Sequence, residues 1–246
     1  MTNINTIVVV DTETTDLDPK AGAELMELGF ITLRYSPELE EWNWGHGKWH
    51  FIETSAKINP LARAVHHIRP EQCEEGAPNC FPRKMVVGAM VQAERSGMMY
   101  AAHNAPFDRA FLPELGAPWI DTLQCARHIY PDAPRHGNQV LRYWLEVEPP
   151  PSLLVDLEAH RALYDAACSA AILLQMLNGR TPEHLLELTN TPVLQKNCNF
   201  GKHRGQPWSE IPTDYMVWMR RSGDFYQSDP DLRYTIDHHL KLRAAS

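Results

Sequence analysis

The sequence predicts an α/β fold with a mixed sheet, and three observations point there. An apolar β-branched run opens the chain, and two more strand-like segments follow it with only turn signals between. Strands then alternate with helical patterns. The longest of these patterns is almost entirely apolar and sits near residue 170.

Ile7-Val8-Val9-Val10 begins the first strand, and Asp11-Thr12-Glu13-Thr14 extends it to the turn signal Asp16-Leu17-Asp18-Pro19. Residues 26–35 and 48–53 supply the second and third strands. Pro60 opens a short helical segment through Ala64 and His66. Residues 81–94 read as helix and 98–102 as an apolar strand. Residues 106–112 fit a helix with Pro106 in its first turn, where a missing N–H costs nothing. Trp119-Ile120-Asp121-Thr122 makes a fifth strand, and helical patterns run on to Leu145. Glu148-Pro149-Pro150-Pro151-Ser152 is a stiff, non-helical connector. The longest helical pattern covers 161–177 and stops at Asn178-Gly179. Asn, Thr and Pro cluster over 189–199, which predicts a main domain over 1–190 and a small α+β module over 198–246. The module carries a Gly-rich hairpin signal, Phe200-Gly201-Lys202-His203-Arg204-Gly205, and two helices.

Bulk properties narrow the function classes. No apolar stretch is long enough to span a bilayer, and the start of the chain lacks the order of a signal peptide; a cytoplasmic location is expected. The five cysteines are an odd number, scattered with no CxxC pair, which argues against a disulfide framework and a structural zinc site. The net charge of −8 argues against tight, non-specific coating of duplex nucleic acid. The excess is local, however. Residues 198–246 hold seven Lys and Arg against six Asp and Glu, so the acidity belongs to the first part. An acidic site there would be neutralised in use by bound cations.

Asp11 and Glu13 are separated by one residue on a strand, so alternation aims both at one face, about 6.6 Å apart along the backbone. Two such acids repel, and a hard divalent cation with oxygen ligands relieves them. Asn104-Ala105-Pro106-Phe107-Asp108 adds a third acid where a buried strand turns into a helix. His160-Arg161-Ala162-Leu163-Tyr164-Asp165 adds a histidine and a fourth acid. On an ideal helix His160 and Asp165 would face about 140° apart. Both reach one site only if His160 lies on the turn before the helix. The pairs His66-His67 and His238-His239 lack ligand-spaced partners and read as structural or solvated.

The Asp-Thr-Glu-Thr, His-Asn-Ala-Pro-Phe-Asp and His-Arg-Ala-Leu-Tyr-Asp segments together resemble the DEDDh exonucleases of the ribonuclease H-like fold. The likeness extends over nearly the whole chain, including Ile58-Asn59-Pro60 and the Phe-Gly-Lys-x-Arg-Gly stretch. It implies a ribonuclease H-like mixed five-stranded sheet flanked by helices and a catalytic set of Asp11, Glu13, Asp108, His160 and Asp165. It also implies two Mg²⁺ or Mn²⁺ ions held by Asp11, Glu13, Asp108 and Asp165, with Asp11 bridging and His160 as general base. The expected reaction is 3′–5′ hydrolysis of DNA, from single-stranded or frayed ends, to 5′-mononucleotides. RNA or short oligoribonucleotides form one alternative substrate class. A polymerase-associated nucleic-acid-binding subunit forms a second reading, and a polymerase or repair protein is a candidate partner.

By the same resemblance Thr14, Leu17 and Phe107 line the pocket for the terminal nucleotide. Asn104 either bonds the strand end or caps the helix after it. The C-terminal module mixes basic and aromatic residues, and Lys202 and Arg204 there are expected to contact phosphates. Arg220 and Arg221 share that phosphate-contact expectation. Tyr215, Trp218 and Met219, at helical spacing, read as the module's own core. One departure stands out. The family commonly has Gly where this chain has Asp16; Asp tolerates left-handed backbone better than most residues, yet it adds negative charge beside an anionic substrate.

Overall fold

Strand β1 covers Thr6–Thr14, and residues 7–10 are buried on both faces. The structure is a computed structural model that describes residues 4–153, 160–221 and 224–244. Strands β2 (Leu25–Ser36), β3 (Glu41–Ile52), β4 (Cys80–Phe81), β5 (Met98–Ala102) and β6 (Trp119–Asp121) join β1 in one sheet of order β4-β3-β2-β1-β5-β6. The β1–β2 and β2–β3 pairs are antiparallel; β1–β5, β5–β6 and β3–β4 are parallel. The sheet is therefore mixed, in the ribonuclease H-like manner.

Helices α1 (Pro60–His66), α2 (Arg83–Ala93), α3 (Ala105–Phe111), α4 (Thr122–Ile129), α5 (Asn138–Trp144), α6 (Ala162–Leu177) and α7 (Pro182–Thr189) complete this part of the chain. Alternation along β1 divides the core in two. Ile7 and Val9 join Ile31, Leu33 and the α6 residues Ala166, Ala170 and Leu173 on one face. Val8 and Val10 join Val86, Met90 and Leu112 on the other. Among the described residues no helix is long and apolar enough to cross a membrane.

All five expected strands are present, and a sixth is added. Residues 80–81, expected to lie at or just before a helix start, form β4 instead, because Pro82 steers the residue before it away from helical backbone. β3 starts at Glu41, well before residue 48. Its Trp42 and Trp44 alternate with Glu41 and Asn43, but Gly45 and Gly47 break the pattern in sequence.

By backbone contacts the chain divides into two compact units, Met1–Thr189 and Asn190–Ser246. Among its described residues the second holds α8 (Thr213–Arg221), α9 (Asp224–Ser228) and α10 (Pro230–Ala244), three helices where two were expected. Its hairpin signal forms no strands among the described residues. Gly201–His203 is a single 3₁₀ turn, and one bridge pairs Asn197 with Pro207, whose missing N–H stops a ladder. The expected α+β module is thus helical. Trp208, Ile211, Met216 and Met219 build its core with Leu232 and Ile236. Met219 is core as expected, and Tyr215 packs at its margin. Trp218 is corrected: it is 57% exposed and stacks on Tyr215 at 5.4 Å.

Close approach of α6 to the sheet depends on Gly29 of β2. A Cβ there would stand 2.2 Å from the Leu163 amide nitrogen and 2.3 Å from the Ala162 carbonyl carbon. Both are backbone atoms that cannot swing away. Gly29→Ala is expected to lower unfolding free energy by about 1–3 kcal/mol, as overpacking does. Gly88→Ala, in α2 with nothing near the new methyl, is expected to raise it by roughly 0.5–1 kcal/mol. Urea denaturation of both variants checks the contrast; equal effects would remove the packing account.

Candidate active site

Asp11 and Glu13 lie at the C-terminal end of β1, and alternation turns both toward the α6 face. Asp165 sits in the first turn of α6. One oxygen from each of these three carboxylates lies within 4.8 Å of the others, a spacing that a single cation spans. Asp108 occupies the first turn of α3, is 3% exposed, and accepts a hydrogen bond from Thr12 Oγ1 at 2.8 Å. It therefore does not cap its helix. His160 lies on the turn before α6, with left-handed φ of 62°. Its backbone N–H donates to Asp165 Oδ2 at 3.0 Å, while its ring Nδ1 stands 3.9 Å from the same oxygen.

Sequence reasoning missed the residues that hold this group together. Glu27, fully buried, pairs across the ladder with Glu13. Its carboxylate takes Arg161 Nη2 at 2.7 Å, Arg161 Nε at 3.2 Å and the Ala162 amide at 3.2 Å. The Arg161 guanidinium lies 5.1 Å from the Trp49 ring centroid and 5.2 Å from that of Phe51. Glu27 thus ties the start of α6 to β2. Gln139 Nε2 donates to Asp165 Oδ1 at 3.1 Å. An acid inside the apolar run Leu25-Met26-Glu27-Leu28 was a readable signal for Glu27; nothing in sequence marked Gln139.

Burial and crowding raise the carboxyl pKa values. Glu13 is pushed up to about 9, first by burial, then by Glu27 and the other acids, with Arg161 opposing. Asp11 is raised by burial and by Asp108 and Glu13. Asp108 is pushed up to about 7 by burial, with the Thr12 hydrogen bond opposing. Asp165 is raised by burial against the pull of His160 and Gln139. Protonation or bound cations must relieve such a cluster.

The expected substrate contacts are placed unequally. Leu17 is 75% exposed, so it is not packed into its turn. Phe107 lies partly buried against Phe111, ring centroids 5.2 Å apart. Thr14 is buried and donates to the Asp16 carbonyl at 2.8 Å. Asn104 is left-handed, with φ of 76°, and its side chain makes no cap bond. The chain there is held by its N–H to Asp121 Oδ1 at 3.1 Å. Lys202 and Arg204 are exposed in the second unit, Lys202 Nζ standing 4.8 Å from the Tyr215 ring centroid. Arg220 stands 3.6 Å from Asp237. Asp16 does not take the left-handed backbone. Its carboxylate instead accepts from the Leu17 amide and from Asn59 Nδ2, both at 2.8 Å, which hold its pKa down. His66 is buried with Nδ1 accepting the Ile68 amide at 2.9 Å, a structural role.

The raised values have a stability consequence. A carboxyl whose pKa is higher folded than unfolded contributes stability that is complete below about pH 4 and lost as pH rises through the folded value. For Asp108 and Glu13 that loss runs through about 7 and about 9. The melting temperature in EDTA is expected to fall between about pH 5 and about pH 9. Added Mg²⁺ or Mn²⁺ is expected to restore it, most at the alkaline end, because binding displaces protons. A metal-free melting temperature that stays flat over this range would refute the electrostatic description.

Comparison with known proteins agrees with this geometry. The family described as "Exonuclease" matches residues 8–173. Exodeoxyribonuclease 10 of Escherichia coli (strain K12) is 32% identical over 199 residues, covering 78% of this chain and 84% of that protein. The DNA polymerase III PolC-type protein of Streptococcus suis is 37% identical over 100 residues, covering 36% of this chain and 6% of its own. Exonuclease X in complex with 5′ overhanging duplex DNA superposes with a TM-score of 0.59 at 28% identity, over 75% of this chain and 99% of that one. The nuclease domain of 3′hExo, a DEDDh family member bound to rAMP, shares the fold with a TM-score of 0.54 at 15% identity, over 72% and 93% of the two chains. With four acids and a histidine gathered at the end of its first strand, this chain belongs to the exonuclease family.

Proposed function

We propose that the protein removes nucleotides from the 3′ end of DNA, single-stranded or frayed, releasing 5′-mononucleotides. The observation that carries this is the cluster of Asp11, Glu13 and Asp165 oxygens within 4.8 Å, beside Asp108 and His160, in a chain of the exonuclease family. Likeness to Exodeoxyribonuclease 10 favours DNA over RNA. The five free thiols fit a cytoplasmic setting. The matches to PolC-type polymerases favour a polymerase or repair protein as partner.

The donor set suits divalent cations. Its oxygens are carboxylates, and the acids repel one another unless a cation or proton intervenes. Asp11, Glu13 and Asp165 would hold one Mg²⁺ or Mn²⁺, with Asp11 and Asp108 holding a second. When bound, the pair would supply an activated water and neutralise charge on the scissile phosphate. His160, 55% exposed at the mouth of the cluster, would take the proton from the attacking water. Its backbone bond to Asp165 fixes the turn from which the ring reaches out. Leu17 and Phe107 would pack on the terminal nucleotide, with Thr14 and Asn104 fixing its backbone. Lys202 and Arg204 would meet phosphates.

Incubation of 5′-labelled single-stranded DNA and a matched RNA with Mg²⁺ tests the reading. A ladder shortening from the 3′ end is expected, faster on DNA and abolished by EDTA or by Asp11→Ala. His160→Ala is expected to slow it by about 10²–10⁴-fold, the usual contribution of a general base. A faster RNA ladder would reassign the substrate, and no cleavage of either by folded protein with Mn²⁺ present would end the enzyme reading. Separately, Lys202→Ala with Arg204→Ala is expected to weaken DNA binding and to flatten its salt slope by about one for each phosphate no longer neutralised. An unchanged slope would take both residues out of the interface.

A further inference from the structure

Strand β3 is paired fully on one side only. β2 lines one edge over almost its whole length, whereas β4 meets the other edge only at Phe51 and Ile52. Among the described residues, no strand covers that second edge over residues 41–48; at Trp49 the backbone carbonyl is already taken by Asn79 Nδ2 at 2.9 Å. Beside it lies a hollow of about 420 Å³. Its floor is apolar: Val8, Phe30, Val86, Met90 and Met98, with the exposed Met85 at its lip. Val8 and Asp11 are three residues apart on β1, so the hollow lies on the sheet face opposite to the carboxylates, about 10 Å along the strand.

The rim is basic. Arg34, Lys48 and Arg95 line it with His46 and His50, and no aspartate or glutamate does. In a chain with 31 acids against 23 lysines and arginines, that local reversal is a specific field, not a reflection of the whole. A lone lysine on an edge strand often serves only to block self-pairing. Here three strong cations from β2, β3 and the loop after α2 line one apolar hollow.

We propose that this edge and hollow dock an acidic segment of a partner protein. The segment pairs with β3 as an added strand, seats a large apolar side chain on the methionine-rich floor, and sets carboxylates against Arg34, Lys48 and Arg95. Two features select a polypeptide over a nucleic acid. The open edge presents backbone N–H and C=O groups that another backbone matches. The floor sets methionine and aliphatic side chains beside the Phe30 ring, and thioethers adapt to an inserted side chain. The site lies outside the proposed nuclease machinery and does not rest on that reading.

The test selects peptides from a random display library on the full chain. Winners are expected to carry Asp or Glu flanking Leu, Phe or Trp. Synthetic copies of them, followed by fluorescence anisotropy, are expected to bind about tenfold more weakly to the Arg34→Glu, Lys48→Glu double variant. The same binding should fall with added salt, while degradation of a labelled oligonucleotide proceeds at the parental rate. Winners without carboxylates, or equal affinity for the double variant, would overturn the proposal. So would a double variant that binds peptide normally but holds single-stranded DNA less well, which would assign the patch to nucleic acid.

Discussion

Mutual repulsion among carboxylates is the constraint to which the rest of this structure answers. Asp11, Glu13, Glu27, Asp108 and Asp165 crowd one end of β1, each felt by one or more of the others. Like charges at contact distance near a protein surface cost on the order of 4 kcal/mol per pair. Three of the five have built-in relief. Arg161 neutralises Glu27, Thr12 bonds Asp108, and Gln139 and the His160 amide bond Asp165. Among the described residues no side-chain donor bonds Asp11 or Glu13. The two acids with no hydrogen-bond donor of their own are those that the strand aims together, which is where a cation gains most.

The same logic explains why Glu27 is buried beside acids it repels. Breaking a buried ion pair by losing one partner typically costs about 3–5 kcal/mol, so Glu27 and Arg161 hold each other firmly. Arg161 follows His160 directly and precedes α6, and Glu27 also takes the Ala162 amide. Gly29, two residues along β2, lets the helix settle onto the strand without a Cβ between them. Salt bridge and close packing act on the same turn of backbone. Together they set where Asp165 and His160 stand relative to β1.

What sequence revealed follows from which signals are local. β1 was legible because a β-branched run buried on both faces has few alternatives, and α6 because its apolar length exceeds any strand. The spacing of Asp11 and Glu13 fixed their shared face, since strand alternation needs no tertiary knowledge. The remaining site residues were legible as motifs, yet their supports were not. Gln139 reaches Asp165 from α5 by a packing that no pattern in 138–144 announces. The early part of β3 escaped because glycines at 45 and 47 dilute its alternation, and the glycine-rich segment at 200–205 misled because turn residues mark 3₁₀ turns as readily as hairpins.

His160 stands apart from the acids in one respect that bears on its role. A non-glycine residue at φ of 62° carries a cost of roughly 1–2 kcal/mol, so something must hold it there. Its own amide bond to Asp165 Oδ2 does so, and the Arg161 clamp prevents the next residue from relaxing. The backbone is therefore pinned at a strained point while the imidazole remains 55% exposed. An imidazole placed this way keeps access to solvent, yet its attachment point moves only if Asp165 moves. Rigidity at the backbone with freedom at the ring is what the role proposed for His160 would require.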